Sequence, residues 1–255
     1  MDINKILIFE VCGNMAHFRK FYTNSSSLSY MFPPRTAVTG LIAAMLGRER
    51  DTYYEEFSSE NCHIAVSVRT KLRKIIQTVN YLQTKGLGGL NGSKGHTQIP
   101  LEILLPEEDM IVYRIYFTHK DEDLLKELEE RLETGRLFYP IYLGMSEFIA
   151  SARLVGKIGS DDIEMKRPGE IYNVRTVCNS NILVDKGLSF ADADGVALQY
   201  IKERMPIEFD KDRLVKSTAN FIYEKNSNII SGKFNVPAYG LKYDGNEENI
   251  VFMEE

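Results

Sequence analysis

The chain has 255 residues, 44% hydrophobic and 26% charged, with 31 Lys/Arg against 36 Asp/Glu and a formal net charge of −5. Those proportions belong to an ordinary globular protein and exclude disorder, collagen and coiled coil as the main state. Three cysteines without a C-x-x-C pair predict neither a disulfide framework nor a zinc site, and no apolar run approaches the ~20 residues needed to span a bilayer.

Residues 5–13 (KILIFEVCG) predict a first strand, rich in Ile, Leu, Phe and Val and closed by Gly13. The acids Asp2 and Glu10 around its short apolar run fit neither a signal peptide nor a transit peptide, so a cytoplasmic protein without membrane contact is expected. The Ser-rich residues 23–29 predict irregular chain. Pro33-Pro34 predicts an extended approach to a helix capped by Thr36. Its residues Val38, Leu41, Ile42, Met45 and Leu46 form one apolar stripe, and Gly47 marks its end.

Residues 63–73 alternate. Ile64, Val66, Val68 and Leu72 share one face; His63, Ala65, Ser67, Arg69, Lys71 and Arg73 share the other, predicting a half-buried strand. Residues 111–118 alternate likewise, with Ile111, Tyr113, Ile115 and Phe117 on one side. Asp121 is placed to cap a helix with a Leu124, Leu125, Leu128, Leu132 stripe and Gly135 at its end, and the first-turn acids suit the helix dipole. Residues 147–158 supply a further strand. The order strand, helix, strand, strand, helix, strand is the split βαβ, ferredoxin-like (RRM-like) arrangement. The expected fold is therefore α+β: a βαββαβ domain over residues 1–158, a long β-hairpin inserted at about 74–105, and a small β-rich C-terminal subdomain over 159–255 with one helix near 191–204.

Residues 11–48 hold four Lys/Arg, residues 61–101 hold six, and neither stretch contains an acid. A basic surface on an acidic body predicts a polyanion on one face and basic partners elsewhere. Alternate residues of a strand stand ~6.6 Å apart. The row Arg69, Lys71, Arg73 thus matches successive phosphates of a stretched single strand, at about twice the ~3.4 Å rise of a duplex strand. Arg19-Lys20 beside Phe18, Phe21 and Tyr22 combines cations with rings that stack on unpaired bases. The stretch Gly86–Gly95 fits neither the dinucleotide fingerprint nor the Walker motif and reads as a hairpin tip with Leu87 and Leu90 as wedges. His17, His63, His96 and His119 have no metal-ligand spacing, and Asp192-x-Asp194-Gly195 lacks the rest of a calcium loop, so no metal or cofactor is expected. Metal-free RNA cleavage would need a base, an acid and a cation at one phosphate; His17 with Tyr22, or Lys94 with His96, are the residues for that alternative.

Ala16-His17-Phe18-Arg19, then Ser29-Tyr30-Met31-Phe32-Pro33-Pro34-Arg35-Thr36, Gly40-Leu41-Ile42 and Leu46-Gly47 together resemble the N-terminal signature of family five of the CRISPR-associated (Cas) proteins, in the RAMP superfamily. Thr97-Gln98-Ile99-Pro100 with Glu102, Tyr113-Arg114-Ile115-Tyr116 and Tyr142-Leu143-Gly144-Met145-Ser146-Glu147-Phe148 fit the same pattern, and the similarity spans about residues 5–155. The resemblance implies a type I Cascade subunit of antiviral defence, most like subtype I-B, with a ferredoxin-like palm and a hairpin thumb. It also implies binding of the repeat-derived 5′ handle of the crRNA, contact with the backbone and large subunits, and target DNA met only through the complex. One branch of the family, in subtype I-C, cuts the guide precursor with a Tyr/Lys/His site in which Lys and His adjoin. Here Gly95 separates Lys94 from His96, and His119-Lys120 stands in reversed order. A non-catalytic binder is expected, with an endoribonuclease as the alternative.

On that reading Arg69, Lys71, Arg73 and Lys74, with Arg19, Lys20 and Arg35, grip handle phosphates, and the helix N-terminus at Thr36 adds backbone donors. Gly144 and Ser146 bound a loop of close backbone approach. Tyr81, Gln98 and His96 meet bases, and Lys85 and Lys94 complete the expected RNA-binding set. About five neutralised phosphates would give a slope of log K on log salt near −3.5.

Overall fold

Strand β1 (Lys5–Gly13) is buried on both faces: Leu7, Phe9 and Val11 enter one core, Ile6 and Ile8 another. That double burial organises a mixed α+β fold made mostly of strands. The computed structural model describes residues 3–23, 26–82, 86–190, 195 and 197–255, without the side chains of residues 185 and 186. After β1 come β2 (Phe18–Arg19), β3 (Ser29–Tyr30), α1 (Arg35–Met45), β4 (Cys62–Val68), β5 (Leu72–Leu82), α2 (Leu87–Leu90), β6 (His96–Pro106), β7 (Ile111–His119), α3 (Glu122–Thr134), β8 (Ile141–Tyr142) and β9 (Ile149–Gly159). The C-terminal strands are β10 (Ile163–Lys166), β11 (Ile171–Val174), β12 (Cys178–Asn179), β13 (Leu183–Leu188), β14 (Tyr200–Phe209), β15 (Val215–Glu224), β16 (Ile230–Phe234), β17 (Ala238–Tyr243) and β18 (Asn246–Ile250). None of the described helices is long and apolar enough to cross a membrane.

An antiparallel five-stranded sheet has the order β4-β7-β1-β9-β8. One face packs on α1 and α3. Leu124, Leu125, Leu128 and Leu132 of α3 are all buried there, and burial of each contributes about 1.5–3 kcal/mol. Asp121 caps α3 as expected, accepting from the amides of Asp123 (2.9 Å) and Leu124 (3.2 Å), and Gly135 closes it at φ +66°. At the end of α1, Arg48 N–H donates to Ala43 O and Gly47 N–H to Ala44 O, a Schellman motif that needs Gly47 at φ +75°.

The start of α1 differs from expectation. Pro34, not Thr36, is the N-cap, and no side chain caps it. Pro34 is already extended (φ −61°, ψ 157°) and its carbonyl accepts from Ala37 and Val38, so the helix begins earlier than Thr36. The segment 191–204 is not one helix either: residues 200–204 belong to β14, and 191–194 and 196 lie outside the described residues.

The alternation across 63–73 breaks in the middle. β4 ends at Val68, the chain bends at Thr70, whose hydroxyl donates to Met110 O (3.0 Å), and β5 leaves the sheet as a hairpin with β6. Its ladder runs from Leu72 opposite Pro106 to Leu82 opposite His96, ~36 Å of projecting ribbon. The supposed polar face of β4 is not solvated. Ala65 and Ser67 are fully buried: β17, β18 and Phe252 close over Ala65, and the Ser67 hydroxyl donates to Arg175 O (2.8 Å). The larger core also takes in Val177, Met205, Phe221, Tyr223 and Met253 from the C-terminal half.

Candidate nucleic-acid interface

Four of the cations expected to grip phosphates are held by the chain's own acceptors. Arg35 is 1% exposed; its guanidinium pairs with Glu254 and donates to Ile207 O (3.4 Å) and Cys62 O (3.2 Å). Lys20 pairs with Glu203 at 3.0 Å. Lys74 donates to Ser29 O (2.6 Å) and Glu102 (3.0 Å). Arg69 donates to Glu248 (2.7 Å) and the Tyr116 hydroxyl (2.7 Å), tying the five-stranded sheet to β18. The row Arg69, Lys71, Arg73 therefore does not exist as one strand face: Arg69 points into the sheet-to-sheet seam, while Lys71 and Arg73 are exposed beyond the bend.

Along the same seam Glu10, 3% exposed, receives Arg114 (2.7 Å) on one oxygen and Arg153 (2.6 Å) on the other. Burial pushes the Glu10 carboxyl up, yet the two guanidiniums outweigh it and hold it below the ordinary carboxylate range. Burial likewise raises Glu248 and Glu102, and donors from Tyr116, Tyr243 and Arg69, or from the Ser29 amide and Lys74, bring each below its ordinary value. Burial lowers His63 to about 4. All four groups bind protons more readily unfolded than folded. The stability they contribute is complete above about pH 6.5 and is lost as pH falls, first through His63 and then through the carboxylates. Burial raises Glu254 and Glu255, which act in the opposite sense; these four groups together with His17 should still lower denaturant midpoints on net between about pH 6.5 and 3. A midpoint that rises on acidification would contradict this.

Other expected residues do come together. A cleft of 540 Å³ opens where β2, one side of α1, the loop after β8 and the hairpin meet. Arg19, Thr36, Tyr81 and Gly144 line it, together with His17, Phe21, Ser27, Tyr53, Tyr54, Tyr142, Phe209 and Arg213. No Asp or Glu lines it. Phe18 is core, whereas Phe21 and Tyr22 are 41% and 52% exposed and meet edge to face at 5.3 Å. Tyr53 and Tyr54 stack obliquely at 5.0 Å, and Tyr54 meets Phe209 at 5.8 Å. Burial lowers the His17 pKa, against the opposing contact of Nδ1 with Glu102 O at 2.7 Å, and Nε2 lies 2.9 Å from the Ser27 hydroxyl.

Gly144, at φ +92°, does face the cleft, but its close approach is to protein. A Cβ there would lie 1.9 Å from His17 O. Ser146 is exposed and donates to Glu147 (3.1 Å). Lys94, His96 and Gln98 are exposed on the hairpin and are not among the residues that line the cleft, and Lys85 lies outside the described residues. The glycine-rich tip contains one helical turn, α2, with Leu87 and Leu90 84% and 58% exposed. Among the described residues no cluster of His, Cys, Asp and Glu is arranged to hold a metal. Sequence reasoning missed Tyr53, Tyr54, Phe209 and Arg213. The adjacent tyrosines were a usable signal; Arg213 gave none.

Three solved structures share this architecture. A CRISPR protein from Archaeoglobus fulgidus is 11% identical over 96% of this chain and 98% of its own, with a TM-score of 0.56. A chain of a CRISPR RNA-guided surveillance complex is 12% identical over 89% and 91%, at 0.50. A chain of the Type III-B Cmr-beta complex, bound to cognate target RNA and AMPPnP, is 10% identical over 88% and 86%, also at 0.50. At such identities the likeness is one of fold, and the fold is that of CRISPR-associated proteins. No curated protein matches the sequence. Residues 6–221 match the family described as CRISPR-associated protein (Cas_Cas5). The chain belongs to the Cas5 family.

Proposed function

We propose that this Cas5 protein is a non-catalytic subunit of a CRISPR RNA-guided effector complex, a type I Cascade most like subtype I-B. In this reading the five-stranded sheet with α1 and α3 is a ferredoxin-like palm within residues 1–158, the β5–β6 hairpin is its thumb, and residues 159–255 are a small β-rich subdomain. The 5′ handle of the crRNA lies at the junction of palm and thumb, and the backbone and large subunits pack around it. The observation that supports this best is the acid-free cleft. Two guanidiniums and seven Phe and Tyr side chains line it, the composition that holds single-stranded nucleic acid by phosphate contact and base stacking.

The electrostatic share is smaller than a count of basic residues implies, because Lys20, Arg35, Arg69 and Lys74 have internal partners. Arg19, Lys71, Arg73 and Arg213 remain exposed. If about three of them neutralise phosphates, log K for handle RNA falls with log salt at a slope near −2, not −3.5. A titration from low to moderate salt checks this, and a slope near zero would remove the reading. The same purified chain should leave repeat RNA intact without metal; specific cleavage would establish the endoribonuclease alternative.

A further inference from the structure

The seam behind the five-stranded sheet holds more guanidiniums than it has acceptors. Arg69, Arg114, Arg153 and Arg175 gather there around two carboxylates, Glu10 and Glu248. Glu10 is taken by Arg114 and Arg153. Glu248 is taken by Arg69 and by the hydroxyls of Tyr116 and Tyr243, with Arg114 at 3.5 Å. Arg69 Nε is buried and unpartnered. The Arg175 backbone is pinned: its amide donates to Asn249 O (2.9 Å) and its carbonyl accepts the Ser67 hydroxyl (2.8 Å). Its guanidinium, half-buried, has no hydrogen bond and no ion pair among the described residues.

A cation taken partly out of water without a counter-charge is unfavourable, and like charges in such a place repel. Both effects are visible at Arg175. Burial lowers its pKa and the Arg69 charge lowers it again, while Glu248 and Tyr116 act the other way without restoring the usual value. Arg175 therefore costs the fold stability in its present surroundings. The chemistry of the surplus defines what would relieve it. A guanidinium donates through a planar fork that matches phosphate oxygens bidentately, and two neighbouring guanidiniums offer donors in more than one plane, which suits a tetrahedral oxyanion. The nearby positions on this sheet face, Val112, Cys12 and Ser151, offer no ring on which a base could stack.

We propose that Arg175, with Arg69 beside it, receives a phosphate group on the side of the sheet away from the cleft. Arg69 continues the β4 face of Ala65 and Ser67, which turns away from α1, whereas α1 lines the cleft. The bound phosphate supplies the missing counter-charge, so occupancy of this site and folding stability rise together. The site is independent of whatever the cleft holds.

Thermal denaturation of the full chain in phosphate and in chloride, at equal ionic strength, tests this. Arg175→Met keeps the apolar stem and removes the charge. In chloride at low ionic strength it should melt about 1–3 °C above the parent protein, because a repelled cation is gone. About 20 mM phosphate should raise the parent by about 3–6 °C and Arg175→Met by no more than about 1 °C. Lys126→Met, which removes an exposed cation from α3, should keep the full shift. Line broadening of the phosphorus resonance of inorganic phosphate by the parent, and not by Arg175→Met, gives the same reading without unfolding. A short nucleic-acid duplex identifies the source of the phosphate. Affinity about three- to tenfold lower in Arg175→Met assigns it to a nucleic-acid backbone; equal duplex affinity, with the phosphate shift still dependent on Arg175, assigns it to free phosphate. Equal phosphate shifts in the parent and Arg175→Met would overturn the inference, as would an Arg175→Met variant that melts below the parent in chloride. Neither result bears on RNA binding in the cleft.

Discussion

Replacing Arg35 by methionine should cost about 3–5 kcal/mol of folding stability, with no loss of RNA affinity in the protein that remains folded. The sequence places Arg35 in a basic stretch and suggests a phosphate ligand; the fold gives it another role. It is the first residue of α1, 1% exposed, and its guanidinium reaches three other segments: Cys62 at the start of β4, Ile207 in β14 and Glu254 in the C-terminal tail. The carboxylate of Glu254 also accepts from Ile64 N–H (3.1 Å). Removing one charge leaves the other buried and uncompensated, and that desolvation penalty dominates the loss. Glu254→Leu should therefore cost a similar amount. The double variant Arg35→Met/Glu254→Leu should recover much of it, because an apolar pair of similar volume leaves no orphaned charge. Denaturant midpoints at unchanged m-value measure these differences. Full stability of Arg35→Met with weakened RNA binding would return Arg35 to the RNA interface.

That reassignment shows where a sequence stops informing. Local signals transferred well. The Asp121 cap, the leucine stripe of α3 and Gly47 in its Schellman motif are set by residues within a few positions of one another, and the long hairpin pairs two strands that follow each other in the chain. Period-two alternation correctly separated the faces of β4, but it carries no information about what lies over the second face. The strands that cover it come more than 170 residues later: the Glu248 carboxylate that takes Arg69 is 179 positions away, and the Glu254 that takes Arg35 is 219 away. A charge count over 11–48 and 61–101 cannot see those partners, so it overstated the free positive charge. The candidate cleft was half legible for the same reason. Arg19, Thr36, Tyr81 and Gly144 sit in segments with a visible pattern, whereas Phe209 and Arg213 reach the cleft only through the tertiary packing of β14 against α1.

Gly144→Ala should be the most damaging small substitution in the cleft, lowering stability by about 2–4 kcal/mol and RNA binding with it. Two effects combine. At φ +92° any Cβ is strained, which alone costs about 1 kcal/mol or somewhat more. The added methyl would also lie 1.9 Å from His17 O and 2.8 Å from His17 C, both backbone atoms that no rotamer change can move. The contact is fixed from the other side as well, because His17 N–H donates to Leu143 O (3.0 Å). Relief requires the loop after β8 to separate from the segment bearing His17, Phe18 and Arg19, which opens the cleft wall. Gly135→Ala carries the first effect alone. Gly135 also has positive φ, at +66°, but a Cβ there meets nothing within 4 Å. It should lose only the conformational part, about 1 kcal/mol, and leave RNA binding intact. Equal destabilisation of the two variants would mean that backbone conformation alone demands glycine at 144, and that the junction with His17 can yield. A difference of about 1–3 kcal/mol, with RNA binding lost only in Gly144→Ala, would identify this contact as the point where the loop after β8 is locked to the basic segment that follows β1.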